Sequence, residues 1–358
     1  MDIFCVGGSV RDFLLGRPAG DTDYTVLGCT DTEFQRAFPR ARKVGRTHPV
    51  YLFKGRQYTV SPALSIDRDL HNRDLTVNAL AIDPLGYLYA HPQALSDLVH
   101  RILRPVAEQN FFDDPLRVVR AARFKAGLPG FRLLPGLHHL LRRVASSGLL
   151  DQVAAERVGR EVHLACQSAQ PGHFVRVLAA SSTLGPWLVE LERTDWKATA
   201  KIMDRVAGKE QRVWMALVHA CTDPGAGCPV VLKPDVAAGS VASEMGRRLC
   251  LPKQMIGAGR LAATWQQAAS RYPALEASLR VRLLMEVHTH RIMDAFWTLI
   301  TAITGEDLID QTHSDLQTIL NIHLPPAWQG LGRRSGEYLH YLRCRALEGK
   351  ETRGAKKG

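Results

Sequence analysis

The sequence lacks several signatures that would fix its class at once. Its seven cysteines (Cys5, Cys29, Cys166, Cys221, Cys228, Cys250, Cys344) form no CxxC pair. Odd in number and widely scattered, they offer neither a disulfide framework nor a zinc spacing, and reduced thiols of a cytosolic protein are the simplest reading. No window approaches the roughly 18 apolar residues of a membrane span. Residues 1–6, Met-Asp-Ile-Phe-Cys-Val, carry no basic n-region, so export is not expected and a cytoplasmic location is. No G-x-x-x-x-G-K-[ST] loop occurs, which disfavours a P-loop nucleotide hydrolase. Internal repeats and low-complexity tracts are absent as well.

What is present is a long, basic chain. At 358 residues and 46% apolar content it can bury two or more cores without a staple, so several modules are expected. Lys plus Arg total 46 against 35 for Asp plus Glu, a formal charge of +11, which favours an extended polyanion as partner and nucleic acid first.

The pattern along the chain divides in two. Ile3 to Val6 is a short apolar run ending at Gly7-Gly8, followed by Val10, Phe13 and Leu14 at helical spacing with Gly16 as a stop. Strand, tight turn and helix therefore follow in order. Strands are expected at Asp23 to Leu27, Pro49 to Phe53, Tyr58 to Val60 and Tyr87 to Ala90, with a helix over Leu75 to Ala81. After about Arg104, segments 115–126, 136–148, 155–167, 173–180, 210–221, 275–290 and 292–303 carry 3.6-type periodicity and almost nothing alternates, so the remainder is expected to be helical. Residues 222–240, with Pro224, Gly225, Gly227, Pro229 and Pro234, read as an internal loop, and Arg353, Lys356 and Lys357 as a frayed basic tail.

Asp21-Thr22-Asp23 opens the second strand. Carboxylates two apart on a strand project to one face and can grip hard cations that prefer oxygen, the arrangement that supports in-line displacement at a phosphate. Ahead of it stands Gly7-Gly8-Ser9-Val10-Arg11-Asp12, where a strand opens into a helix: glycines let backbone N–H groups approach phosphates, and a guanidinium follows.

Together these residues resemble the opening motif of the class II (bacterial-type) CCA-adding tRNA nucleotidyltransferases and their poly(A) polymerase relatives. Arg73-Asp74-Leu75-Thr76-Val77-Asn78-Ala79 is similar to that family's RRDFTINA segment, which implies Arg73 at the nucleotide and Asp74 and Asn78 around the ribose. Asp113-Asp114-Pro115-Leu116-Arg117-Val118-Val119-Arg120-Ala121-Ala122-Arg123-Phe124 resembles its EDPLRVLRAARF helix. Asp114 and Arg117, three apart on a helix, offer an acceptor beside a fork of donors. Cytosine and adenine both present an amine next to a ring-nitrogen acceptor, whereas uracil and guanine place a carbonyl there, so the pair reads C and A without a template. Arg120 is assigned to the triphosphate, and Arg123 continues the row, drifting round the helix because three residues fall about 60° short of a turn. Glu156, Arg157 and Glu161 resemble the next motif, ERxxxE, and read as structural neck residues. Gly330-Leu331-Gly332, with Arg343 and Arg345 beyond, resembles the family's C-terminal ending, which touches the tRNA body.

The chain also departs from the pattern. Thr59 stands where the family's strand usually carries a third carboxylate, Asn72 replaces the first Arg of RRDFTINA, and only Pro62 to Leu70 separates Ser61 from His71-Asn72-Arg73-Asp74, so the family's long flexible loop looks largely deleted. In this family a missing loop goes with enzymes that add only two cytidines. Asp67 or Asp69 is then open as a substitute for the third acid. Val213 to Ala220 matches the place of an HD phosphohydrolase domain in proteobacterial relatives, but Ala220 stands in place of the Asp, His219 reads as a core or surface histidine, and no phosphohydrolase activity is expected.

The expected protein is thus α+β: a small mixed-sheet, polymerase-β-like nucleotidyltransferase head (1–104), a helical neck (105–165), and a helical body and tail (166–358) with a degenerate HD-like region near 195–300. The resemblance implies addition of CCA, or part of it, to the tRNA 3′ end from CTP and ATP. Asp21 and Asp23 would hold Mg²⁺, and Gly8, Arg11, Arg73, Asp114, Arg117, Arg120 and Arg123 would hold the nucleotide. A CC-adding enzyme, a poly(A) polymerase and a catalytically weakened tRNA-binding protein are the alternatives. No protein partner is predictable.

Overall fold

The computed structural model describes residues 1–358 except 19–21, 46–48, 62, 64, 223–231 and 355–358. It divides into two compact units, Met1–Val153 with Ala180–Thr183, and Ala154–Ala179 with Leu184–Gly358.

The first unit is built on a mixed sheet. In chain order it contains β1 (Asp2–Val6), α1 (Gly8–Leu14), β2 (Asp23–Leu27), α2 (Asp31–Ala37), β3 (Arg42–Val44), β4 (Val50–Phe53), β5 (Arg56–Val60) and α3 (Ile66–His71). After these come β6 (Leu80–Ile82), β7 (Leu88–Ala90), α4 (Ala94–Val99), β8 (Ile102–Leu103), α5 (Gln109–Asp113), α6 (Leu116–Gly127), β9 (Arg132–Leu133) and α7 (Pro135–Ser146). The sheet order is β3-β4-β5-β2-β1-β6-β7, antiparallel throughout except for the parallel pair β2 and β5.

Alternation along the strands sends side chains to opposite faces. Val26, Tyr51 and Tyr58 pack with Phe34 of α2 on one side, and Phe4, Val6 and Leu27 pack with Ile66 and Leu70 of α3 on the other. Local signals fix both helix starts. Thr30 and Glu33 form a reciprocal capping box ahead of α2, and the Ser65 hydroxyl accepts from the Arg68 amide ahead of α3.

Two expectations are corrected here. Leu75 to Ala81 is not a helix: a single 3₁₀ turn at Thr76–Asn78 leads straight into β6. Leu75, Val77, Ala79, Leu80 and Ala81 are all buried, so the run has no polar face to set a helical period, and the Gly7 amide draws the Leu80 carbonyl into the sheet at 2.9 Å. The region beyond Arg104 is not wholly helical either, since β9 pairs in parallel with β8.

The second unit is helical: α8 (Ala155–Cys166), α9 (Gly172–Ala180, whose last residue groups with the first unit), α10 (Trp196–Arg205), α11 (Glu210–Val218), α12 (Val236–Arg248), α13 (Lys253–Ala269), α14 (Ala277–Thr289), α15 (Met293–Thr304), α16 (Ile309–Leu320) and α17 (Arg333–Gly354). Trp214, Trp265, Trp297, Tyr272 and Phe296 fill its core. In α8 a glycine is obligatory by close approach: a Cβ built on Gly159 would lie 1.7 Å from the Leu249 carbonyl oxygen. The loop expected at 222–240 is shorter at its far end, because Asp235 caps α12 by accepting from the Ala238 amide; residues 223–231 lie outside the described residues. Arg353 falls within α17 rather than in a frayed tail, while Lys356 and Lys357 lie outside the described residues. Among the described residues no helix is long and apolar enough to cross a membrane.

Candidate functional site

The α3 face of the sheet carries an open cleft of about 580 Å³, lined on β2 by Asp23 and Thr25, on β5 by Gln57 and Thr59, and beyond them by Ser61, Asp69, Asn72, Arg73 and Arg117. The parallel register sets Asp23 beside Gln57 and Thr25 beside Thr59, so the odd-numbered residues of both strands share this face. Asp23 is exposed at the strand entrance. Asp21, its expected companion, lies outside the described residues. Thr59 occupies the place where a third acid was sought, and of the two substitutes Asp69 lines the cleft whereas Asp67 is on the exposed side of α3.

The turn from β1 into α1 depends on Gly7, whose φ of 72° suits glycine; Arg73 Nη1 lies beside it, 3.5 Å from where a Cβ would sit. Gly8, singled out from the sequence, is the first residue of α1, and a Cβ there would make only ordinary contact with the Arg11 guanidinium.

The motif residues are largely one another's partners. Arg11, 8% exposed, donates to both carboxylate oxygens of Asp12 at 2.9 Å and to Asn78 Oδ1 at 2.6 Å. Asn78 Nδ2 in turn donates to Asp74 Oδ1 at 3.1 Å, which also accepts from the Leu75 amide at 2.8 Å. Arg120 of α6 donates through Nε to Asp74 Oδ2 at 2.8 Å, with Nη2 at 2.7 Å from the same oxygen. Asp12, Arg11, Asn78, Asp74 and Arg120 therefore form a continuous polar chain from α1 to α6. Burial alone would push the Asp74 pKa up, but the Arg120 charge and the bonds from Asn78, Arg120 and the Leu75 amide outweigh it and hold the carboxyl well below the usual range.

Arg117 serves a contact the sequence did not foretell. Its guanidinium donates to two backbone carbonyls, Arg73 at 3.0 Å and Asn72 at 2.6 Å, and Asn110 Nδ2 joins it on the Arg73 and His71 carbonyls at 2.8 Å each. Asp114, expected on one helix with Arg117, is instead the extended residue that follows α5, two positions before α6 begins. Arg123 lies over the Phe124 ring at 4.1 Å, the shortest of three such approaches by Arg11, Arg120 and Arg123. Reading from the sequence missed Thr25, Ser61 and Gly7. Only Gly7 carried a usable signal, as the first glycine of the pair.

In the second unit, His219 faces Gln266 Oε1 of α13 at 2.9 Å. Arg343 of α17 is partly buried and donates to the Ile319 carbonyl at 3.1 Å, and Arg345 lies 3.5 Å from Glu348. Among the described residues no three His, Cys, Asp or Glu side chains converge as a metal site. The cleft's oxygen donors are carboxylate, amide and hydroxyl groups with no sulfur or imidazole, a set that fits a hard divalent cation in kind.

No family model matches the chain. Relatives in sequence include a protein named multifunctional CCA protein from Stenotrophomonas maltophilia, 40% identical over 215 residues, covering 54% of this chain and 52% of the relative. Another, named CCA-adding enzyme from Pseudomonas putida, is 37% identical over 244 residues, covering 61% of this chain and 65% of the relative. The chain thus spans about half to two thirds of the length of these curated relatives. In fold it is similar to the Thermotoga maritima CCA-adding enzyme complexed with tRNA, with a TM-score of 0.68 and 21% identity over 97% of this chain and 87% of that one. It is equally similar to a CCA-adding enzyme in complex with CTP, again with a TM-score of 0.68 and 21% identity. A nucleotidyltransferase-type head joined to a helical body, together with this sequence similarity, makes the chain a relative of the bacterial-type CCA-adding proteins.

Proposed function

We propose that the chain is a template-independent tRNA nucleotidyltransferase that moves CMP, and AMP where the terminus is completed, from nucleoside triphosphates to a tRNA 3′ hydroxyl with release of pyrophosphate. A cytoplasmic place of work is consistent with these proposed substrates. The observation that carries this reading is the cleft itself: Asp23 and Arg73 both line it, and Arg73 also lies beside the Gly7 turn that opens α1. CCA-adding nucleotidyltransferases generally depend on a divalent metal. Asp21 with Asp23 would hold Mg²⁺, which when bound polarises phosphate oxygens and activates the attacking hydroxyl.

The roles proposed for the remaining residues draw on the contacts they make. Arg73 meets the triphosphate beside the turn at Gly7 and Gly8. Arg11 and Arg120, tied to Asp12, Asn78 and Asp74, brace the site beside the sugar and phosphates. Arg117 spends two donors on backbone carbonyls; a guanidinium has five, and those left over reach the base edge together with Asp114. Arg123 contributes through its stack on Phe124.

One observation favours the narrower, CC-adding version. β5 ends at Val60 and α3 begins at Ile66, so only residues 61–65 connect them, and Ser61 is tied directly to Asp69 at 2.8 Å. Such a connector leaves little freedom to reshape the pocket between two bases. The decisive assay supplies tRNA lacking its last three nucleotides with CTP, ATP or both. Growth by two nucleotides that stops despite ATP selects CC addition, growth by three selects CCA addition, and long A tails select a poly(A) polymerase. RNA binding without any growth removes the transferase reading in favour of an RNA-binding protein.

A further inference from the structure

We propose that Asp69 is a positioning residue: it locks Arg73 in the orientation that presents one guanidinium nitrogen to the Gly7 turn, and so sets the affinity for the incoming triphosphate. The inference rests on the reading that the cleft takes a nucleoside triphosphate. A long, flexible arginine in an open cleft ordinarily samples many rotamers and loses that freedom when an anion binds. Here the freedom is already gone. Asp69 Oδ2 accepts from Arg73 Nε at 3.2 Å and Nη2 at 2.7 Å, and Nη2 also donates to Thr25 Oγ1 at 2.9 Å. These bonds occupy one edge of the planar fork and turn the other outward, leaving Nη1 without a hydrogen bond among the described residues and aimed at Gly7.

Asp69 is itself fixed. Its side chain is 12% exposed, and its Oδ1 accepts from Ser61 Oγ at 2.8 Å. Ser61 Oγ in turn accepts from the Ala63 amide at 3.2 Å. The short connector after β5 thus reaches the triphosphate site through a defined series: Ser61, Asp69, Arg73, then the turn before α1.

The test compares wild type with Asp69→Asn, Ser61→Ala, Arg73→Ala and the double variant Asp69→Asn with Arg73→Ala. For Asp69→Asn the KM for CTP is expected to rise about tenfold with kcat within about twofold of wild type, and for Ser61→Ala to rise about threefold, while tRNA affinity and thermal midpoint stay near wild type. Acting only through Arg73, Asp69→Asn should change the CTP KM by less than about twofold once Arg73 is alanine. An unchanged KM in the single variant, a fall in KM (Asp69 then competes with phosphate for Arg73), or an equal penalty in both backgrounds would overturn the proposal. CTP affinity is also measured directly with a fluorescent analogue. Wild type that binds CTP but adds nothing refutes the transferase reading alone, since affinity still reports on Asp69; wild type that neither binds nor adds refutes both.

Discussion

Asp74 keeps a negative charge in the interior of the first unit, 5% exposed, and its neighbours make that tolerable. Removing one partner of a buried ion pair strands the other, at a typical cost of about 3 kcal/mol. Arg120→Ala is accordingly expected to lower unfolding free energy by about that much in urea titrations, and Asp74→Asn in the same background to recover part of it. Because the folded pKa of Asp74 is depressed, its contribution is present above its unfolded pKa of about 3.9 and is lost as pH falls toward the lower folded value. Asp74→Asn should flatten the acid limb of the stability profile below about pH 4; an acid limb identical to wild type would contradict the linkage. The cysteines divide by burial: desolvation pushes Cys221 up to about 12, whereas Cys250 is exposed, so an alkylating reagent at mildly alkaline pH should label Cys250 well before Cys221. At this scale the sequence announced which residues matter but not to whom they are joined. Arg11, Asp74, Asn78 and Arg120 stood out as motif members, each assigned to a ligand. The Arg11–Asn78 and Arg120–Asp74 bonds cross 67 and 46 positions of chain and exist only once the fold brings α1, the turn before β6 and α6 together.

Among the elements, legibility followed exposure. Strand β2 alternates between an open cleft and a packed face and was readable to the residue, and α7, whose apolar residues recur on one side, was readable to within two residues at each end. The stretch from Leu75 to Ala81 is buried on every side, and there neither a helical nor a strand period survives. The helices α12 and α13 lay within the stretch expected to be helical but had no bounds of their own, for a related reason: Gly239, Gly246 and Gly259 lie where helices approach closely, and in a sequence such glycines look like interruptions. Gly159 in α8 has the same origin and gives a sharp prediction. Its Cβ would overlap the Leu249 carbonyl, a backbone atom that cannot swing aside, so Gly159→Ala should destabilise the second unit by about 2 kcal/mol despite alanine's higher helix propensity. A calorimetric scan showing a gain in stability would mean that α8 can shift away without cost.

For the whole molecule, nucleotide chemistry and RNA binding can be tested apart. Asp23 belongs to the cleft, so Asp23→Ala is expected to abolish nucleotide incorporation while tRNA affinity changes by less than about twofold in a filter-binding titration; normal turnover would end the metal assignment. With a net charge of +11, affinity for RNA should fall steeply as salt rises, and a flat log–log plot would argue against backbone phosphate contacts. The division into a sheet-bearing part and a helical part was visible from periodicity alone, because a change from period two to period 3.6 survives any uncertainty about individual boundaries. The compact units divide near Val153, a boundary that neither composition nor a proline-rich linker marks.

The grip of Arg117 on residues 72 and 73 has an evolutionary corollary. Since it holds carbonyl oxygens, which every amino acid supplies alike, the fold asks nothing of the side chain at position 72. That locus can therefore change identity while its backbone stays anchored, and because Asn72 lines the cleft it is a place where substrate preference can be retuned at little risk to the architecture.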